Sequence, residues 1–128
     1  MRRVTYSELT LRYFETAPGA GSLSGPGIHR GAAGSRAQGT WVQFDVEAAA
    51  GTIARVRFLA FACPHTIAAS AWLAEHAPGL PVRPALPVSV ADLSERFDVP
   101  TEKRGRLLII EDAWIAAMVS ALQGGRLV

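Results

Sequence analysis

Cysteine is almost absent from this chain: Cys63 is the only one in 128 residues. A single thiol excludes an internal disulfide, a self-contained zinc finger and any multi-cysteine cluster site within one chain. It suits a reducing compartment, so cytoplasm is the expected location. Charge is sparse as well. Charged residues make up 19% of the chain, and the formal net charge is only +2. The arginines, among them Arg12, Arg30, Arg55 and Arg104, are scattered. No nucleic-acid motif accompanies them, so no nucleic-acid partner is expected. No apolar run of membrane-spanning length is read, and the basic start MRRVTYSELTLRYF leads into neither an apolar core nor a small-residue cleavage site. Neither a membrane span nor a secretory signal is expected. The glycines of residues 19–39 are followed by no Gly-Lys-Ser/Thr, which excludes a phosphate loop.

What is present is the composition of a packed domain. Apolar residues are 49% of the chain, and residues 1–128 are expected to form one domain with its own core. Thr5-Tyr6-Ser7-Glu8 has the form of a capping box, with Thr5 as N-cap and Glu8 reaching back. Tyr6, Leu9, Tyr13 and Phe14 then recur at helical spacing, which predicts a helix over roughly residues 6–15, ended by Pro18 and Gly19. Residues 17–39 are rich in Gly, Ala and Ser and read as an ordered loop, with a short strand near Ser22-Leu23. In TWVQFDV (40–46), Val42, Phe44 and Val46 face one way and Trp41, Gln43 and Asp45 the other. TIARVRFLAF (52–61) follows after the loop EAAAG, and the two runs predict an antiparallel hairpin.

Pro64 suits the first position of a helix whose apolar face is Ile67, Ala71 and Ala74, with Trp72 and Leu73 beside them; Pro78-Gly79 stops it. LPVRPALPV (80–88) must be extended, because its prolines cannot continue a helix. Ser89 caps a short helix with Val90, Leu93 and Phe97 inward, and DVPTEKRGR (98–106) reads as a polar loop. A final helix over 107–122 carries Leu107, Ile110 or Glu111, Trp114, Met118 and Leu122 on one side, with GGRLV as its exit. The strands come together and then the helices, without βαβ alternation, which argues for an α+β domain.

Cys63 is the chemically distinctive residue. If Pro64 opens the helix, Cys63 is its N-cap, and the unpaired N–H groups and positive end of the helix dipole point at the sulfur. That environment favours a thiolate, a better nucleophile and a better metal ligand. The competing reading is a small buried hydrophobe. His65 is the one histidine with a functional case, set against a surface residue of the first helical turn. His29 reads as a solvated loop residue and His76 as a complement to a helix C-terminus. Arg55 and Arg57 read as a solvated strand face, and Trp41, Trp72 and Trp114 as core or sheet-packing residues.

Four stretches carry a resemblance: YSELTLRYFETAPGAGSL, GAAGSRAQGTWVQFDVE, RFLAFACPHTIAASAWLAEHAPG and KRGRLLIIEDAWIAAM. They run in the order of the NifU/IscU-type iron–sulfur cluster assembly scaffold family, which this chain resembles over about residues 5–118. Pro18–Leu23 loosely matches the family's PRNVG turn, residues 62–70 its strand-to-helix cysteine motif, and Ile110-Glu111-Asp112-Ala113 its AEDA helix, where Glu111 and Asp112 are expected to serve the N-terminal turn. The resemblance implies a small three-stranded antiparallel sheet covered by helices, an IscU/SufE-like α+β fold. It also implies an iron–sulfur cluster, or bound iron or zinc, as the cofactor, and a cysteine desulfurase or other iron–sulfur assembly proteins as partners.

The family's ligands do not all carry over. Such scaffolds resemble one another in holding the nascent cluster with three cysteines, an aspartate and, in many, a histidine. Here Gln38 stands at the first cysteine, Thr40 at the aspartate, Gly105 at the histidine and Arg106 at the third cysteine. Only Cys63 is retained. Iron–sulfur clusters are usually held by four ligands, mostly thiolates. A homodimer would supply two, with His65 as a further ligand on each side. Arg106 cannot ligate, and beside Cys63 it would favour the thiolate. Of the chaperone-read LPPVK segment, Pro100 and Lys103 remain.

Three functions follow, none of them enzymatic turnover. The first is a divergent iron–sulfur assembly scaffold with Cys63 as its remaining sulfur or metal contact. The second is a single-cysteine persulfide acceptor, similar in chemistry to the SufE-type proteins, which carry one cysteine in a loop before a helix. The third is a metal-free module that binds a desulfurase or another scaffold and regulates it.

Overall fold

A computed structural model describes residues 5–126. The first four residues and Leu127 and Val128 of the expected exit lie outside it. The elements follow as α1 (Glu8–Thr16), β1 (Ile28–Ser35), β2 (Thr40–Ala49), β3 (Thr52–Phe61), α2 (Pro64–His76), α3 (Val90–Arg96) and α4 (Gly105–Arg126), with a single 3-10 turn at Thr101–Lys103. The three strands form one antiparallel sheet in the order β1-β2-β3. One face carries the core. α4 packs along β1 and β2, α2 against β3, and α1 on α2.

The alternation in β2 works as the sequence predicts. Val42, Phe44 and Val46 are fully buried, and the Phe44 ring meets Trp114 of α4 edge to face at 5.2 Å. β2 runs further than expected, so the EAAAG loop shrinks to Ala50-Gly51, both with positive φ (52° and 76°). That is the two-residue turn whose twist suits a hairpin.

The main correction concerns residues 17–39. Instead of a loop with a short strand near Ser22-Leu23, the chain forms a full eight-residue strand, Ile28–Ser35. Its sequence, IHRGAAGS, hides it, because glycine and alanine replace the usual large apolar residues. The reason is α4. A Cβ on Gly31 would land on the α4 backbone at Ala117 N and Ala113 O. The strand gives up side chains so that the helix backbone can approach.

Three helix ends also move. Ser7, not Thr5, caps α1: its hydroxyl accepts from the Thr10 amide at 3.2 Å, and Thr10 Oγ1 in turn donates to the Phe97 carbonyl at 2.8 Å. The polar loop 98–106 is shorter than expected because α4 already begins at Gly105, and α4 continues through Gly124 and Gly125 to Arg126. Glu111 and Asp112 therefore lie past the first turn of α4. Leu122 is exposed and Ala121 takes its inward place. Ser89 caps α3 as expected, accepting from the Asp92 amide at 3.0 Å, with Leu93 and Phe97 fully buried.

Contrary to the sequence reading, the run Thr101–Gly124 is long and apolar enough, by length and composition, to cross a membrane. Its apolar residues instead form one wall of the core: Leu107, Ile110, Ala113, Trp114, Ala117 and Met118 are buried.

Candidate functional site around Cys63

Pro64 is the first residue of α2 and Cys63 its N-cap, with extended φ and ψ of −74° and 164°. Proline has no N–H to lose there, so the first turn forms without penalty and leaves the sulfur facing the open end of the helix. Cys63 Sγ lies 3.4 Å from Thr66 Oγ1. The sulfur makes no full cap hydrogen bond, but the Thr66 amide is turned toward it. Cys63 is half-buried.

Burial pushes the Cys63 thiol up. The hydroxyl and amide of Thr66 and the guanidinium of Arg106 act the other way, and the balance leaves the thiol below its ordinary value. Arg106 is the second residue of α4 and comes from the far end of the chain.

The sheet register brings the other positions to this end. Trp41 pairs with Phe61, so the start of β2 lies beside the exit of β3 that leads to Cys63. Thr40 is buried at that start. A Cβ on Gly34 would meet both Thr40 O and, at 3.0 Å, Ile109 Cγ2, which sits one helical turn beyond Arg106. Gln38 is exposed in the β1–β2 turn, its amide donating to Ser35 Oγ at 3.2 Å. Gly105 opens α4. Gln38, Thr40, Cys63, Gly105 and Arg106 thus gather at one end of the domain. Pro100 caps the 3-10 turn that precedes Gly105, and Lys103 is its last residue.

His65 corrects the sequence reading. It is not a surface residue of the first turn: it is 1% exposed, and neither ring nitrogen has a hydrogen-bond partner. The Tyr6 ring covers it at 4.8 Å between centroids, and Lys103 Nζ lies 5.9 Å from the Tyr6 ring. Burial, then the Lys103 charge, push the imidazole pKa below its usual value, with a weaker opposing pull from Asp98. His65 is held neutral. His76, as expected, sits at the end of α2, its Nδ1 2.9 Å from the Trp72 carbonyl. His29 lies on β1 rather than in a loop.

Two residues were missed. Thr66 stands three positions after the N-cap, the spacing at which a cap meets the helix, and that spacing was the available signal. Tyr6 had none, since only the docking of α1 on α2 brings it to His65.

The donor set does not fit a cluster. Among the described residues no group of three His, Cys, Asp or Glu side chains could hold a metal ion. The cation of Arg106 stands beside the one thiol. A guanidinium neither ligates nor deprotonates.

The model of the NifU-like N terminal domain matches residues 5–123. The chain belongs to that family. Its fold is that of two NifU-like or SUF-system structures. One is the N-terminal part of a nitrogen-fixing NifU-like protein from Brucella abortus, with TM-score 0.71, 14% identity, and 91% of this chain and 94% of that one covered. The other is an iron–sulfur cluster assembly scaffold protein for the SUF system from Fervidobacterium islandicum AW-1, with TM-score 0.69, 16% identity, and 88% and 96% covered. No curated protein matches the chain. Within the NifU-like family, this chain keeps the fold while its convergent end carries one thiol and one guanidinium.

Proposed function

We propose that this NifU-like chain works in iron–sulfur cluster assembly, with Cys63 accepting and relaying sulfane sulfur rather than anchoring a cluster. The family membership and the solved scaffold folds support the process. The observation that carries the mechanism is the setting of Cys63, where the hydroxyl and amide of Thr66 and the guanidinium of Arg106 together outweigh burial and lower the thiol pKa.

The chemistry is a thiol–persulfide exchange. The Cys63 thiolate attacks the outer sulfur of a donor persulfide, R–S–S–H. The donor S–S bond breaks, a new S–S bond forms at Cys63, and the donor leaves as R–S⁻. The sulfane sulfur moves without net oxidation, so no external oxidant is needed. Arg106 and the α2 N-terminus stabilise the anion before and after transfer. The natural donor of this chemistry is a cysteine desulfurase.

The test uses a desulfurase from the same genome, charged with ³⁵S-cysteine. Label should reach the wild-type chain and be lost in Cys63→Ser. Anaerobically purified protein should hold no stoichiometric, Cys63-dependent iron or acid-labile sulfide. Absence of label would overturn the acceptor role. Stoichiometric iron lost in Cys63→Ser would return the chain to the scaffold reading, with ligands shared between subunits.

A further inference from the structure

The helices cover one face of the sheet, and the other is divided in two along its length. At the end remote from Cys63, charge dominates. Arg30 pairs with the buried Asp45 (Nε–Oδ1 2.7 Å), and the Leu23 amide donates to the same carboxylate at 2.9 Å, which lays the preceding loop over this row. Arg55 pairs with Glu47 at 3.0 Å. At the Cys63 end the face is apolar and uncovered. Trp41, Leu59 and Phe61 alternate with the core residues of their strands and lie outside the core cluster. Leu59 is 40% exposed and Phe61 51%.

Isolated exposed leucines need no explanation, but a contiguous aromatic and aliphatic patch with a charged rim marks an interaction surface. Here the rim has one sign. Arg36 lies over the Trp41 ring at 5.4 Å, and Arg57 pairs across the sheet with the Asp45 position. Among the described residues neither Arg36 nor Arg57 has a carboxylate within ion-pair distance, because Asp45 and Glu47 are already engaged by Arg30 and Arg55. A second copy of the chain would therefore set arginine against arginine. The charge pattern selects an acidic partner.

We infer that the open sheet face at Trp41, Leu59 and Phe61, rimmed by Arg36 and Arg57, docks an acidic, apolar surface of the protein that delivers sulfur to Cys63. Phe61 lies two residues before Cys63, a reach of no more than about 7 Å along the chain. A partner seated on Phe61 is thus at the thiol. This inference rests on the sulfur-acceptor reading and adds the surface by which the donor is recognised.

The experiment compares two donors on each variant: the ³⁵S-charged desulfurase, and glutathione persulfide, which needs no docking. Leu59→Glu/Phe61→Glu should slow transfer from the desulfurase about tenfold or more at subsaturating donor. It should leave the reaction with glutathione persulfide unchanged. Arg36→Glu/Arg57→Glu should slow the same transfer and flatten its dependence on ionic strength. If the double glutamate variant fails to fold by circular dichroism, Phe61→Ser carries the same test. Equal rates from the desulfurase in wild type and variants would overturn the docking surface and leave the acceptor role standing. Transfer from glutathione persulfide but not from the desulfurase in wild type would likewise overturn the docking surface. No transfer from either donor would overturn the acceptor reading, and the docking inference with it.

Discussion

The guanidinium of Arg106 stands beside the thiol of Cys63, although 42 residues separate them in the chain. One sits in the first turn of α4 and the other caps α2. Together the two helices set a cation and a helix N-terminus against the one thiol, and both favour its ionised form. Arg106→Ala should raise the midpoint of iodoacetamide alkylation of Cys63 toward the ordinary value of about 8.5. The sign is direct: the thiolate reacts, and the lowered pKa places more of it at neutral pH. Unchanged alkylation between pH 6 and 9 would show that the α2 N-terminus alone sets the pKa.

Restoring the family's ligands should restore metal binding. Gln38→Cys, Thr40→Asp and Arg106→Cys together place two more thiolates and a carboxylate around Cys63 and remove the cation. The triple variant should bind zinc near one equivalent where wild type binds none, as read by elemental analysis after dialysis. If it gains nothing, the match of these positions to the family's ligands is wrong.

His65 should cost the fold stability on the acid side. Its imidazole is buried without partners and its folded pKa is lowered, whereas the unfolded value is about 6.5. As pH falls below that value, the unfolded chain takes up a proton that the folded one refuses, so stability falls until the lowered folded pKa is reached. His65→Phe should be neutral or stabilising at pH 8 and relatively more stabilising at pH 5.5 in urea unfolding. An equal effect at both pH values would mean that His65 finds a partner in solution.

Asp45 shows the opposite dependence. Burial raises its pKa, but Arg30, the Leu23 amide and Gln43 more than offset this, and the folded pKa is lowered. Its contribution is present above the unfolded carboxylate value of about 3.9 and is lost as pH falls through the lower folded value. Arg30→Ala leaves a buried carboxylate short of its main partner and should destabilise the fold at pH 7. The difference from wild type should shrink in acid. A cost that persists at pH 2 would place the effect in packing rather than charge.

Gly31→Ala should be among the most damaging single-methyl additions in the protein. The new Cβ would overlap the α4 backbone at Ala117 and Ala113, which cannot rotate away as a side chain can. A loss of about 3 kcal/mol or more is expected by thermal or chemical unfolding. Gly39→Ala, at a positive-φ turn with open space around it, should cost about 1 kcal/mol. Equal costs would show that α4 can lift off β1.

Much of this was legible in local pattern. The alternation of Val42, Phe44 and Val46, the stop at Pro78-Gly79, the Ser89 cap and the Cys63-Pro64 helix start each depend on residues within a few positions of one another. So did the expectation that Cys63 would meet a helix N-terminus. The strand Ile28–Ser35 was not legible, since a strand chosen for closeness to a helix loses the side chains that announce strands. Nor was the burial of His65, which depends on Tyr6 arriving from the segment that leads into α1.

By itself, then, the sequence determined the period of β2, β3 and the helices, some of their ends and the single thiol, because these follow from backbone sterics and side-chain alternation over short spans. The tertiary structure decided the rest. It put Arg106 against Cys63, Tyr6 over His65, the Gly31 backbone under α4, and left Phe61 bare on the open sheet face. The reason is that charge, burial and exposure are properties of neighbours in space, and here those neighbours come from segments far apart along the chain.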